Sequence, residues 1–263
     1  LDADIFVSHL YANYGLDFRL YAQNSLERRI ERLFQKLKIN TVESLDKKLA
    51  NNSALVPYIV NELAVGYTTF YRDPDVWQKV SELLIDKSTD KLKIWVAGCS
   101  TGEEVYTIIS LLQHIKHQKE VDILATDMNE FALKQAATGV YPVRKIELAE
   151  HNLDKSHLNI QLKTFYHLHD NNAHFRTPAN IKVEWRKHNL INEEYPGQFD
   201  MVFMRNILIY FSTQLQEFVL RKVHQSMVKN SILVLGKFEA FPIEKLGHKF
   251  GYISTAHNIL NRE

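Results

Sequence analysis

Apolar positions along the chain follow two different periods, and the change comes near residue 90. Before it, Leu26, Ile30, Leu33, Phe34 and Leu37 recur at steps of three and four, which predicts an amphipathic helix with that stripe turned inward. The opposite face carries Glu27, Arg28, Arg29, Glu31 and Arg32. A further helix is expected from Thr41 or Val42, with Leu45 and Leu49 inward. Leu55, Ile59, Val60 and Leu63 predict another.

From Lys91 the pattern turns to short apolar runs alternating with amphipathic ones. Leu92 to Ala97 reads as a strand ending at Gly98, followed by a helix with Val105, Ile108, Ile109, Leu112 and Ile115 on one face. Val121 to Thr126 is the next strand, ending on Asp127. Phe131 to Thr138 follows as a helix, with Gly139 as its C-cap. Further strands are expected at Ile181–Arg186, Phe199–Met204, Ile232–Leu235 and Ile253–Ala256, with a helix across Thr213–Val228. Such alternation implies a mostly parallel sheet covered on both faces. In that architecture ligands bind beyond the carboxyl ends of the strands.

Residues 141–180 break the alternation. Phe165-Tyr166-His167-Leu168-His169 and Ala173-His174-Phe175-Arg176 flank Asp170-Asn171-Asn172, a polar turn between two short strands. This reads as a small β insertion. His167, His169 and His174 lie close in sequence, but no carboxylate motif accompanies them, and no metal is expected.

Composition adds exclusions. The chain has 263 residues, 45% hydrophobic and 24% charged, ordinary for a globular protein. A formal net charge of +1 provides no global field toward nucleic acid or a membrane. The single cysteine, Cys99, excludes an intrachain disulfide and a cysteine-based zinc cluster. No apolar run has the length of a membrane span, and Leu1-Asp2-Ala3-Asp4 does not resemble a secretory signal. A cytoplasmic monomer that neither binds nucleic acid nor inserts into a membrane is expected.

The densest chemistry lies at Gly98-Cys99-Ser100-Thr101-Gly102-Glu103-Glu104, between the first strand and its helix. Small residues there let the backbone approach a ligand. The pattern is neither a P-loop nor Gly-x-Gly-x-x-Gly, and its acids would repel a pyrophosphate. They suit a cationic or hydroxylated ligand. Asp127, at the end of the second strand, stands where a carboxylate accepts hydrogen bonds from ribose hydroxyls. Two plainer roles remain open: Ser100-x-x-Glu103 is also a capping-box pattern, and Asp127 is also a candidate N-cap.

Here a resemblance becomes specific. Gly98-Cys99-Ser100-Thr101-Gly102-Glu103-Glu104-Val105-Tyr106-Thr107 resembles the Gly-Cys-Ser-Thr-Gly-Glu-Glu-Pro-Tyr-Ser loop of CheR-type chemotaxis receptor methyltransferases. Thr68-Thr69-Phe70-Tyr71-Arg72-Asp73-Pro74, Ala125-Thr126-Asp127, His188-Asn189-Leu190 and Arg205-Asn206-Ile207-Leu208-Ile209-Tyr210-Phe211 resemble further segments of that family, in its order. Gly15-Leu16-Asp17-Phe18 and Leu26-Glu27-Arg28-Arg29-Ile30 resemble the opening of its helical domain. The sequence departs from the family at Gly66, where Asn is usual, at Val105, where Pro is usual, and at Gly236-Lys237-Phe238-Glu239, where the family has Gly-His-Ser-Glu.

The resemblance implies an N-terminal all-helical domain over 1–64. It implies an α/β, Rossmann-like S-adenosylmethionine-dependent methyltransferase domain over 65–263, with the β insertion at about 141–180. The cofactor would be S-adenosylmethionine and its product S-adenosylhomocysteine. Thr68 and Arg72 would meet the methionine end, Glu103 its ammonium, and Asp127 the ribose. Asn189 and Leu190 would border the adenine, with Gly98, Met128, Asn206 and Ile207 completing the pocket. Tyr210 and Arg72 would line the methyl-transfer cavity. Arg28, Arg29 and Arg32 would face the cytoplasmic helices of chemotaxis receptors, whose glutamates would become methyl esters. Two other readings stay open: a methyltransferase for another protein or a small acid, and a non-catalytic cofactor-sensing module.

Overall fold

Four helices build the N-terminal part: α1 (Ala3–Tyr14), α2 (Gln23–Leu37), α3 (Val42–Asn51) and α4 (Leu55–Leu63). The computed structural model describes residues 3–21, 23–52, 55–64, 66–86 and 90–263. Leu1, Asp2 and Val65, next to the expected domain boundary, lie outside them. Leu26, Ile30, Leu33 and Phe34, the stripe read on α2, are buried against Phe6 and Leu10 of α1, Leu45 and Leu49 of α3, and Ile59 and Leu63 of α4. Thr41 caps α3 by accepting the Ser44 amide.

A seven-stranded sheet follows, with strands β1 (Lys91–Ala97), β2 (Glu120–Asp127), β6 (Ile181–Lys187), β7 (Phe199–Met204), β8 (Met227–Leu235), β9 (Phe250–Ser254) and β10 (Ile259–Arg262). Their order is β6-β2-β1-β7-β8-β10-β9. The first five run parallel, while β10 pairs antiparallel with both β8 and β9. The two-residue strand period splits the core. Ile94 and Val96 of β1 join one face, which α5 (Asp75–Ile85) and α6 (Glu103–His114) cover. Trp95 and Ala97 join the other, with Leu215, Val219 and Val223 of α9 (Thr213–Gln225). Between β2 and β6 lie α7 (Glu130–Thr138) and the insertion. Gly139 ends α7 at φ +64, the left-handed C-cap expected of it.

Three expectations need correction. The insertion is not only β: it is β3 (Val140–Pro142), a thirteen-residue helix α8 (Val143–Lys155), β4 (Tyr166–His169) and β5 (Asn172–Phe175). Ile146, Ala149 and Leu153 bury one side of α8 at steps of three and four, between polar neighbours that hide the pattern. The expected turn is present, with Asp170 and Asn171 at φ +45 and +58, as a two-residue hairpin turn requires. The helix expected to reach Val228 ends at Gln225, and β8 begins at Met227, where pairing with Phe199 recruits residues that the helical pattern had claimed. The strand expected at Ile253–Ala256 is the end of β9. The chain then turns, with Asn258 at φ +55, and returns as β10, whose four residues are too few to be read from period alone. Among the described residues, no helix is long and apolar enough to cross a membrane.

Candidate active site

The carboxyl ends of β1, β2 and β7 open into one cleft, which the α1–α2 connection and the segment after α4 close from above. Thr68 and Arg72 line it from that segment, Gly98 from the β1 loop, and Asp127 and Met128 from the end of β2. Asn189 and Leu190 follow β6, and Asn206, Ile207 and Tyr210 follow β7. The cleft holds about 870 Å³ free of atoms, open solvent included.

The loop after β1 approaches its neighbours closely. Gly98 has φ +67, and a Cβ there would run into the Ile207 side chain. Helix α6 starts after Gly102, at φ +89, without a side-chain cap. The capping box suggested by Ser100 and Glu103 is therefore not formed. Asp127 does not cap either: Asn129 caps α7, its Oδ1 accepting from Phe131 and Ala132. This leaves the Asp127 carboxylate to the cleft. Its Oδ2 accepts from the Ser100 amide and its Oδ1 from the Asn129 amide, both at 2.8 Å. Burial pushes the Asp127 carboxyl above its ordinary value, and those amides oppose the shift.

The two adjacent glutamates part company. Glu103 is fully buried and turned away from the cleft. Its carboxylate accepts from Thr101 Oγ1 at 2.7 Å and from Lys145 Nζ of α8. Glu104 lines the cleft instead. Successive helix positions point about 100° apart, so one orientation of α6 admits only one of the pair. Burial raises the Glu104 carboxyl, and Arg205 and Arg72 counter it.

Arg205, in the Arg-Asn segment but without a role assigned from sequence, joins three walls. It donates to Glu104 Oε2 at 2.7 Å, to Asp73 Oδ2 at 2.9 Å and to the Arg72 carbonyl at 2.9 Å. Its guanidinium stacks 5.0 Å from the Trp77 ring. The Arg72 carbonyl also accepts from Trp77 Nε1 at 2.9 Å. Tyr71 and Asp73 flank Arg72 at φ +51 and +52, conformations that side chains of this kind enter rarely and that concentrate at functional sites.

Glu239 closes the Gly236-Lys237-Phe238-Glu239 turn. Its buried carboxylate accepts from the amides of Ile207 at 2.7 Å, Leu208 at 2.6 Å and Gly236. These bonds hold Asn206, at φ +61, and Ile207 in the cleft wall. The departures themselves face outward: Phe238 is exposed, and Lys237 pairs with Asp75 at 2.8 Å.

The helical part reaches the mouth of the cleft. Tyr21 packs its ring 5.2 Å from Phe211 and points its hydroxyl at Met128 Sδ, 3.6 Å away. Of the three arginines read as one basic face, Arg28 and Arg32 are exposed, while Arg29 is half-buried. Arg29 donates to the Leu63 carbonyl and lies 5.7 Å from the Tyr210 ring. Burial raises the Tyr210 hydroxyl, and Arg72 and Arg29 oppose this. Arg72 also donates to the Tyr67 carbonyl at 2.9 Å. On the insertion, the His167 and His174 rings stack at 5.0 Å. Among the described residues, no group of three or more His, Cys, Asp or Glu side chains is arranged to hold a metal.

Comparison with known proteins identifies the family. A family model described as CheR methyltransferase, SAM binding domain, matches residues 66–259, and one described as CheR methyltransferase, all-alpha domain, matches residues 2–64. The chain is 28% identical over 230 residues to the chemotaxis protein methyltransferase of Listeria innocua, covering 86% of this chain and 84% of that one. It is 28% identical over 250 residues to the chemotaxis protein methyltransferase of Borreliella burgdorferi, covering 88% and 84%.

Proposed function

Because this chain belongs to the CheR methyltransferase family and uses S-adenosylmethionine, we propose that it esterifies glutamate carboxylates on chemotaxis receptors. The observation that carries the reading is the meeting of Arg29 from the helical part with Arg72 and Tyr210 at one mouth of the cofactor cleft. Two guanidinium groups beside an aromatic ring suit an anionic acceptor. The names of the similar proteins point to the same acceptor class.

The residues of the cleft fit the cofactor. Asp127 offers carboxylate oxygens for ribose hydroxyls, and Met128 and Leu190 offer apolar surface for adenine beside Asn189. Arg72 offers a cation for the amino-acid carboxylate. Glu104 offers an acid on the cleft side, while Glu103, the acid expected to meet the ammonium, engages Lys145. When bound, S-adenosylmethionine supplies an activated methyl group on a cationic sulfur.

The acceptor glutamate is ionised at neutral pH, so no general base is required. The work of the protein is to hold the carboxylate in line and to exclude water, and positioning of this kind contributes ~7–11 kcal/mol. Arg29 and Arg72 orient the acceptor at the mouth. Tyr210 walls the reacting space. Arg28 and Arg32, exposed on the same helix, extend the basic surface toward an acidic receptor helix.

The test is transfer of labelled methyl from S-adenosylmethionine to a receptor cytoplasmic fragment, with the label released as methanol by base. Arg29→Ala is expected to raise KM for the fragment about tenfold without changing affinity for S-adenosylhomocysteine. Cofactor binding without base-labile label on any receptor fragment would refute this acceptor and leave a sensing module or another substrate.

A further inference from the structure

Tyr67 stands at the rim of the cofactor cleft with its ring in solvent. The other side chains that line the cleft are buried or half-buried, and among the described residues Tyr67 is the one lining residue that is exposed, at 65%. Aromatic residues further along the same segment do the opposite: Phe70 and Tyr71 are 1% and 0% exposed. Tyr67 packs into none of the three hydrophobic clusters. A single exposed ring on an ordinary surface needs no explanation. It is the place of this ring that gives it a use.

The rim around it is cationic. The Tyr67 carbonyl accepts from Arg72 Nη1 at 2.9 Å, and the Tyr67 ring lies 5.7 Å from the same guanidinium. Arg29 lies 5.7 Å from the Tyr210 ring, and Arg72 and Arg29 both oppose the rise of the Tyr210 hydroxyl. Two aromatic rings and two guanidinium groups therefore border one mouth. Aromatic and arginine side chains are the ones that most often carry the energy of protein interfaces. A tyrosine ring adds a large contact area while few rotatable bonds have to be fixed.

We infer that Tyr67 is an acceptor-binding residue: its ring packs against the body of the protein that carries the methylated glutamate, on the Arg72 side of the mouth. The inference rests on the acceptor proposed above. The glutamate side chain enters the cleft, while the chain bearing it stays outside, where the rim meets it. Asp127, Met128, Asn189 and Leu190, offered to the cofactor, are buried or half-buried. A ligand enclosed among them does not cover a ring that stands in solvent. A small acid held wholly within the cleft would leave that ring open too, so the ring serves an acceptor too large to enter.

The test is steady-state methyl transfer from S-adenosylmethionine to a receptor cytoplasmic fragment, beside titration calorimetry with S-adenosylhomocysteine. Tyr67→Ala removes the ring and keeps the carbonyl that holds Arg72. It is expected to raise KM for the fragment about fivefold, with kcat and affinity for S-adenosylhomocysteine changed by less than about twofold. Tyr67→Phe, which keeps the ring, is expected to restore KM to within about twofold of the wild type. An unchanged KM in Tyr67→Ala would overturn the assignment and leave the proposed acceptor standing. So would a loss of S-adenosylhomocysteine affinity as large as the rise in KM, since the ring would then serve the cofactor. Absence of transfer by the wild type to any receptor fragment would overturn the proposed acceptor and this assignment with it.

Discussion

Arg205 and Glu104 form a buried ion pair, Nη1 to Oε2 at 2.7 Å, with side chains 1% and 12% exposed. The pair fastens the end of β7 to the first turn of α6, and the same guanidinium holds Asp73 at 2.9 Å. Removing one partner of such a pair leaves the other charge buried and uncompensated. Arg205→Ala is expected to cost about 3–5 kcal/mol of stability, measured by urea unfolding. A loss below about 1 kcal/mol would contradict the role given to this arginine.

Asp127 is expected to make cofactor affinity depend on pH. Burial raises its carboxyl above the ordinary value, so on acidification it takes up a proton earlier than an exposed aspartate. In the free protein, the penalty for holding this buried group ionised is present above its folded pKa and is relieved as pH falls through it. Binding has the opposite sign, because ribose hydroxyls donate best to the ionised form. Affinity for S-adenosylhomocysteine should therefore weaken as pH falls, beginning above the usual carboxylate value of ~4. Asp127→Ala should lower affinity at neutral pH by more than about tenfold. Calorimetric Kd values across the pH range check both statements, and an alanine variant with wild-type affinity would refute the ribose role.

Lys145 on the insertion supports a carboxylate that its own domain buries. Glu103 is fully buried, and among the described residues its carboxylate retains only the Thr101 hydroxyl once Lys145 is removed. Lys145→Ala should destabilise the fold by about 1–3 kcal/mol, at the low end because the lysine is itself 37% exposed. Thermal unfolding of the variant beside Lys145→Arg, which restores the cation, checks this. Equal midpoints for wild type and the alanine variant would count against it.

Glu239 replaces a whole set of backbone partners. Glu239→Ala would strand the buried amides of Leu208 and Gly236 together with that of Ile207, at about 1–3 kcal/mol for each unsatisfied group before relaxation. The expected result is a clear loss of stability in urea unfolding and weaker S-adenosylhomocysteine binding, because Asn206 and Ile207 lose their anchor. Phe238→Ser, on the exposed side of the same turn, should leave stability within about 0.5 kcal/mol. Equal effects of the two substitutions would mean that the carboxylate is not the anchor.

Local pattern reveals what local physics controls. The stripe from Leu26 to Leu37, the apolar run from Leu92 to Ala97 and the left-handed cap at Gly139 could be read because each depends on near neighbours. Helix α8 was missed because its buried Ile146, Ala149 and Leu153 sit among charged residues that face out. Strand β10 was missed because four residues acquire their identity only by filling the place between β8 and β9.

The same division runs through the site. The sequence by itself determined the small-residue loop after β1, the acid at the end of β2 and the ordered motifs around them, because each is a contiguous run of residues at the end of a strand. Only the tertiary structure decided which glutamate faces the cleft, Glu104 rather than Glu103. It alone decided that Asn129 relieves Asp127 of capping and that Arg29 leaves the basic face of α2 for Tyr210. Each choice depends on the angle at which one element meets another. That angle is set by the packing of distant residues, which no local run of sequence contains.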